Sequence, residues 1–135
     1  MANELTQLEK AFAHIFYLVL AADKVVDLNE LSLGSKIMKL EKLDKQAIMR
    51  EVDMLGSMSK REVFTEAVAL LKSISKPEAT RYIAYLNMIA ESDGSLDKSE
   101  LTLINEFPVS DFGITEQEVF TTQRKLRDNL EKIKT

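Results

Sequence analysis

An internal repeat of an acidic stretch restricts the fold of this chain more than any other feature. Residues 23–33 read Asp-Lys-Val-Val-Asp-Leu-Asn-Glu-Leu-Ser-Leu, and residues 93–103 read Asp-Gly-Ser-Leu-Asp-Lys-Ser-Glu-Leu-Thr-Leu. Both stretches follow an apolar run and share the spacing Asp-x-x-x-Asp-x-x-Glu-Leu-x-Leu. The repeat predicts two halves that are built alike, each with an acidic turn that ends one helix and begins another.

The composition favours an all-helical chain. It has 135 residues, which suggests one domain, and a chain of that size buries about two thirds of its unfolded surface. Only two prolines and four glycines are present, and apolar residues recur at helical spacing. We therefore predict a compact all-α domain.

Seven helices are predicted, and they divide into two repeats. The first three helices correspond to the fifth, sixth and seventh, and the fourth helix connects the two sets. Repeat one covers about 3–57, the connector helix about 59–73, and repeat two about 75–133. This arrangement predicts an approximate internal two-fold symmetry. The first and fifth helices are the most apolar, so we expect them at the centre.

Short polar motifs mark where the helices begin and end. The first helix is predicted from about Asn3 to Ala22, and the sixth from Asp97 to just before Pro108. Four further helix starts are predicted from capping residues: Ser59 with Glu62, Ser75 with Glu78, Thr115 with Glu118, and Asp44 alone. Gly56 follows the third helix, where a left-handed residue is expected.

Several residues within the helices allow a structural or a functional interpretation. Gly34 lies inside the second helix, and we predict a close helix crossing there. His14 is the only histidine and lies in the apolar first helix, so a structural role is favoured over catalysis. Tyr82 and Tyr85 fit core packing better than a pocket lining. The sequence also contains no nucleophile elbow, P-loop or dinucleotide fingerprint.

The acidic turns admit two interpretations. In the first, Asp27 with Glu30 and Asp97 with Glu100 are capping boxes, which need no ligand. In the second, the turns bind a hard divalent cation, calcium or magnesium, which takes oxygen ligands. The candidate ligands are Asp93, Asp97 and Glu100 of the second turn, and Asp23, Asp27 and Glu30 of the first.

Capping does not explain Asp23 and Asp93. Each lies ahead of the cap at the end of an apolar helix, where a negative charge opposes the helix dipole. The second turn is the better cation candidate, because Gly94 lets the backbone approach and Ser95 adds an oxygen, whereas Lys24 adds a positive charge to the first. The spacing is too short for an EF-hand loop. Whether the two turns converge stays open.

The second turn carries a family resemblance. Residues 90–101 read Ala-Glu-Ser-Asp-Gly-Ser-Leu-Asp-Lys-Ser-Glu-Leu, in which a helix ending in Ala-x-x-Asp-Gly is followed by Asp-x-x-Glu-Leu. This stretch resembles the TerB-like domain of tellurite-resistance proteins. Residues 112–119, Phe-Gly-Ile-Thr-Glu-Gln-Glu-Val, are similar to that family's following element. The resemblance implies a helical domain with an internal repeat, metal ligands at the acids of both turns, and a link to stress and tellurite resistance.

We therefore expect a non-enzymatic, TerB-like binding module with a weak divalent-cation site and a protein partner. The alternative is a metal-free helical adaptor whose acids serve only as caps, and a third interpretation is a small metal-dependent hydrolase that uses paired carboxylates. The net charge of −4 argues against a nucleic-acid partner. The absence of cysteine fits a cytoplasmic location, and the apolar run 11–22 is too short to span a membrane.

Overall fold

The computed structural model describes residues 5–22, 28–92 and 113–132, and these residues form an all-helical structure. The helices are α1 Gln7–Ala22, α2 Leu28–Glu41, α3 Lys45–Leu55, α4 Lys60–Ser73, α5 Lys76–Ala90 and α6 Glu116–Glu131. The all-α prediction is confirmed for this part of the chain. The helix predicted between Asp97 and Pro108 lies outside the described residues. None of the described helices is long and apolar enough to cross a membrane.

Capping side chains fix the starts of α3 to α6, as predicted. At α3, Asp44 accepts a hydrogen bond from the Ala47 backbone N–H at 3.1 Å. Reciprocal capping boxes begin the next three helices: Ser59 with Glu62 at α4, Ser75 with Glu78 at α5, and Thr115 with Glu118 at α6. These bonds satisfy backbone donors that a helix leaves free in its first turn. The Thr115 backbone N–H also lowers the pKa of Glu118 by donating to its carboxylate.

The predicted start of α1 is wrong by about one turn. Leu5 and Thr6 are not helical, and the helix begins at Gln7 rather than near Asn3. Thr6 and Glu9 form a further capping box: the Thr6 N–H donates to Glu9 Oε1 at 3.0 Å, and the Glu9 N–H donates to Thr6 Oγ1 at 3.1 Å. The Thr-x-x-Glu motif was visible in the sequence and should have placed this boundary.

The prediction of a left-handed residue after α3 is also wrong. Gly56 has a φ of −61°, in the right-handed region. The chain instead tightens through bonds from Ser57 N–H to the Met54 carbonyl and from Met58 N–H to the Leu55 carbonyl. Three-residue bonds of this kind satisfy the last carbonyls of a helix without a left-handed residue.

The core forms around α1 and α5. Helix α1 packs against α3, α4 and α5, and α5 packs against α1, α2, α4 and α6. The Phe12 ring of α1 meets the rings of Tyr82 and Tyr85 edge-on, with centroid separations of 6.0 and 6.4 Å. All three side chains are fully buried, so the prediction of core packing for the two tyrosines is confirmed.

Gly34 of α2 lies against the side chain of Phe16 in α1. A Cβ atom added at Gly34 would lie 2.5 Å from Phe16 Cζ, far inside van der Waals contact. Both residues are buried, and Phe16 is 1% exposed. The close approach expected at this interior glycine is therefore confirmed.

Candidate functional site

Of the predicted cation ligands, Glu30 is the one that the structure describes. It lies in the first turn of α2 and is 2% exposed. A carboxylate there is favoured by the helix dipole, but its burial is costly unless it is paired, and Glu30 does take part in an interaction. The remaining candidates, Asp23, Asp27, Asp93, Asp97 and Glu100, lie outside the described residues. Within the described ranges, no three His, Asp or Glu side chains are grouped to hold a metal.

A groove of about 360 Å³ lies between the start of α2, the end of α5 and the end of α6. We call it the α2–α5 groove. Its lining residues are Asn29, Ser32, Leu33, Lys36, Met88, Glu91, Ser92, Arg127, Leu130 and Glu131. Asn29 is the second residue of α2, and Ser92 lies just beyond α5. The groove therefore brings together part of the first acidic stretch and the residue that precedes the second, although they are far apart in sequence.

The α2–α5 groove combines oxygen-bearing and basic side chains. Glu91 and Glu131 contribute carboxylates, which are ligands for hard cations. Arg127 Nη2 lies 3.8 Å from Glu91 Oε2, and both side chains are about half exposed, so this ion pair contributes little. The Ser92 Oγ is buried and has no hydrogen-bond partner in the part of the chain that the structure describes. Lys36, which also lines the groove, disfavours a cation close to it.

A partly buried polar cluster joins the last turn of α2 to α5. Arg81 donates to Glu41 through two bonds, Nε to Oε2 at 2.7 Å and Nη2 to Oε1 at 2.8 Å, and the Tyr85 hydroxyl donates to the same carboxylate. The Glu41 side chain is 10% exposed. The hydrogen bond to Glu41 raises the pKa of Arg81. The pKa of Tyr85 is raised mainly by burial and, to a smaller extent, by its hydrogen bond to the Glu41 carboxylate. Sequence reasoning missed this cluster, because nothing local pairs Glu41 with Arg81.

His14 links α1 to α4 from within the core. Its side chain is buried, with Nδ1 2.7 Å from the Lys10 carbonyl oxygen and Nε2 2.9 Å from Glu66 Oε1. A carbonyl oxygen only accepts, so this contact assigns the Nδ1 hydrogen. The partner Glu66 is half exposed on α4. The geometry fits the structural role predicted for His14 and adds a partner that the sequence did not reveal.

Comparison with known proteins adds no relative, because no family model, curated protein or solved structure matches this chain. The TerB-like resemblance rests on residues 90–101 and 112–119, and it stays a prediction.

Proposed function

We propose that this chain is a non-enzymatic, TerB-like binding module of the cytoplasm, associated with stress or tellurite resistance, that holds a divalent cation weakly at its acidic turns. The observation that carries this proposal is the α2–α5 groove, which is lined by residues next to both turns. Asp27 is bonded to Leu28 at the start of α2, and Asp93 is bonded to Ser92 beyond α5. Chain connectivity therefore favours acids from both turns at one end of the molecule.

Convergence matters because one turn supplies few ligands. Calcium takes six to eight oxygens and magnesium about six including waters. Asp93, Asp97 and Glu100 would be the main ligands in our proposal, and Asp23, Asp27 and Glu30 would complete the set. The cation would also offset the negative charge that Asp93 places at the end of α5. Water would fill the remaining positions, which makes the site weak.

The repeat architecture is part of the same proposal. Helix α1 packs on α3, and α5 packs on α6. These are the pairs that the two-repeat arrangement makes equivalent, with a further helix expected between Asp97 and Pro108. Equivalent packing of equivalent helices supports an internal two-fold relation, which would place the two acidic turns at related positions.

Calorimetric titration with calcium and magnesium tests the cation site. We expect weak binding to the native chain and loss of that heat in Asp93→Asn/Asp97→Asn. The matched control is Asp53→Asn/Asp128→Asn, which removes the same charge from exposed positions on α3 and α6 and should bind like the native chain. No heat and no thermal shift at millimolar ion would contradict the proposal.

A metal-free adaptor is the second candidate function, and the capping boxes favour it. Four described helices begin with a Ser or Thr cap and a Glu at the same spacing as Asp27 and Glu30. Leu28 and Phe120, which are 80% and 57% exposed, would be accessible to a protein partner of such an adaptor. If Asp93→Asn/Asp97→Asn lowers stability without any ion present, and ions have no effect on the native chain, the adaptor is the better account.

A further inference from the structure

A second groove, of about 390 Å³, lies at the corner between α2 and α3 and is rimmed by lysines. We call it the basic groove. Its lining residues are Ser35, Lys36, Met38, Lys39, Leu43 and Lys45. Lys42, an exposed residue of the α2–α3 turn, adds a further positive charge next to Leu43 in the chain. This concentration of positive charge runs against the net charge of −4 of the whole chain.

The acids nearest to these lysines in sequence are already engaged elsewhere. Glu41 is held by Arg81 and Tyr85. Asp44 accepts from the first turn of α3, where its charge is stabilised by the helix dipole. In the described part of the chain, no ion pair involves Lys36, Lys42 or Lys45. Their charges are therefore available to a ligand.

The backbone at Lys42 is held in a conformation that a glycine would adopt more easily. Lys42 has a φ of 59°, and the end of α2 is closed by bonds from Lys42 N–H to the Lys39 carbonyl and from Leu43 N–H to the Met38 carbonyl. This is a Schellman ending, in which the left-handed position is usually glycine. A strained residue that the surrounding structure holds in place often marks a functional surface. At this position the chain has a lysine where a glycine would be easier to accommodate.

We propose that the basic groove docks an acidic segment of a partner protein, in which carboxylates flank an apolar side chain. The ammonium groups of Lys36, Lys42 and Lys45 would pair with the carboxylates at the rim. Leu43 and the aliphatic stems of the lysines, with Met38 buried behind them, give the groove a largely carbon lining that suits the apolar side chain. This docking site goes beyond the proposed cation-binding function and needs no cation, so it can stand or fall independently of the acidic turns.

The same lining argues against nucleic acid as the occupant. The groove contains no arginine for bidentate phosphate contacts and no aromatic ring on which a base could stack. A long polyanion would also be repelled by the net negative charge of the whole chain. A short acidic segment would interact mainly with the lysines of the groove, because salt screens the more distant charges.

The test is an NMR titration of the full chain with a synthetic peptide in which glutamates flank a pair of leucines. We expect backbone amide shifts concentrated in residues 35–45, and binding that weakens as salt is added. Lys36→Glu/Lys45→Glu should lower the affinity about tenfold. Lys72→Glu/Lys125→Glu changes the net charge equally at exposed positions on α4 and α6, and it should bind like the native chain. Lys36→Gln/Lys45→Gln gives a milder test if the reversal impairs folding.

Three outcomes would overturn the docking site. Equal loss of binding in both charge-reversal variants would show only non-specific attraction. Equal binding of a peptide with serines in place of the leucines would remove the role of the apolar lining. Tighter binding of a single-stranded oligonucleotide through the same residues would identify a nucleic-acid surface instead.

Discussion

Lys42 adopts a left-handed backbone conformation at the end of α2, with a φ of 59°. For an L-residue with a Cβ atom this conformation costs roughly 1–2 kcal/mol, whereas glycine enters it freely. The two backbone hydrogen bonds that close the end of α2, together with the turn into α3, offset this cost and hold Lys42 in the conformation. Local preference alone does not reveal such a residue, because lysine gives no signal for the left-handed region.

Replacing Lys42 by glycine should raise the free energy of unfolding by about 1 kcal/mol, since the relief of strain exceeds the extra entropy of glycine in the unfolded chain. Denaturant unfolding measures the change. Lys42→Ala is the matched control, because it removes the same charge but keeps the Cβ atom and should give no such gain. An equal gain in both variants would mean that charge repulsion among the lysines, rather than backbone strain, is what was relieved.

Gly34 illustrates the opposite case, in which glycine is required by its neighbour. Gly34→Ala should lower the free energy of unfolding by about 1–3 kcal/mol, because the new methyl group collides with the buried ring of Phe16 and overpacks the core. Thermal or denaturant unfolding checks this. In a Phe16→Leu background the same substitution should cost less, since the ring edge is gone. A Gly34→Ala variant as stable as the native chain would show that the ring moves aside freely.

At the scale of elements, the cluster of Glu41, Arg81 and Tyr85 fastens the end of α2 to α5. The bidentate pair has partly buried partners, so removing one partner leaves the other charge poorly solvated. The neighbouring Tyr82 is also fully buried, but its hydroxyl has no hydrogen-bond partner among the described residues. The two adjacent tyrosines therefore differ in what their hydroxyl groups contribute.

Tyr85→Phe should lower stability at neutral pH by about 1.5–3 kcal/mol, the usual worth of a bond to a charged group, whereas Tyr82→Phe should be neutral or stabilising. Burial raises the pKa of both tyrosines in the folded chain. Unfolded tyrosine loses its proton near pH 10, so above that pH the unfolded state binds fewer protons and stability falls.

Denaturant unfolding between about pH 8 and pH 11 measures this alkaline loss, which Tyr82→Phe should make shallower. Tyr17 is a half-buried residue of α1, and Tyr17→Phe serves as the control for the removal of one tyrosine from the chain. Stability that stays flat through this range in the native protein would contradict the burial of the two hydroxyl groups.

Local sequence motifs predicted where most helices begin, but they did not predict which side chains of different helices contact each other. The start of α5 is fixed by Ser75 and Glu78, which lie within four residues of each other. Both partners of the capping hydrogen bonds are therefore visible in the motif. The bond between Glu41 and Arg81 spans 40 positions, and that between His14 and Glu66 spans 52. Such pairs depend on which helix faces meet. The same limit applies to the site, since the acidic turns were readable but the groove that adjoins them was not.

For the molecule as a whole, the central feature is one groove that is lined by residues of the first acidic stretch and by Ser92, which precedes the second stretch in the chain. The start of α2 and the end of α5 lie together there because α2 packs on α5 and on α6. The basic groove lies further along α2, towards α3, and Lys36 lines both. If both proposals hold, two kinds of ligand meet the same helix, a cation near the start of α2 and an acidic segment near its end.

Calcium calorimetry on the native chain, Asp27→Asn, Asp93→Asn and the double variant tests this account most directly. If the turns share a site, the native chain binds one ion, each single variant loses affinity by about tenfold, and the two losses are not additive because both acids hold the same ion. Two independent binding events, each lost in only one of the single variants, would contradict convergence. An absence of binding at millimolar calcium or magnesium would contradict the cation site itself.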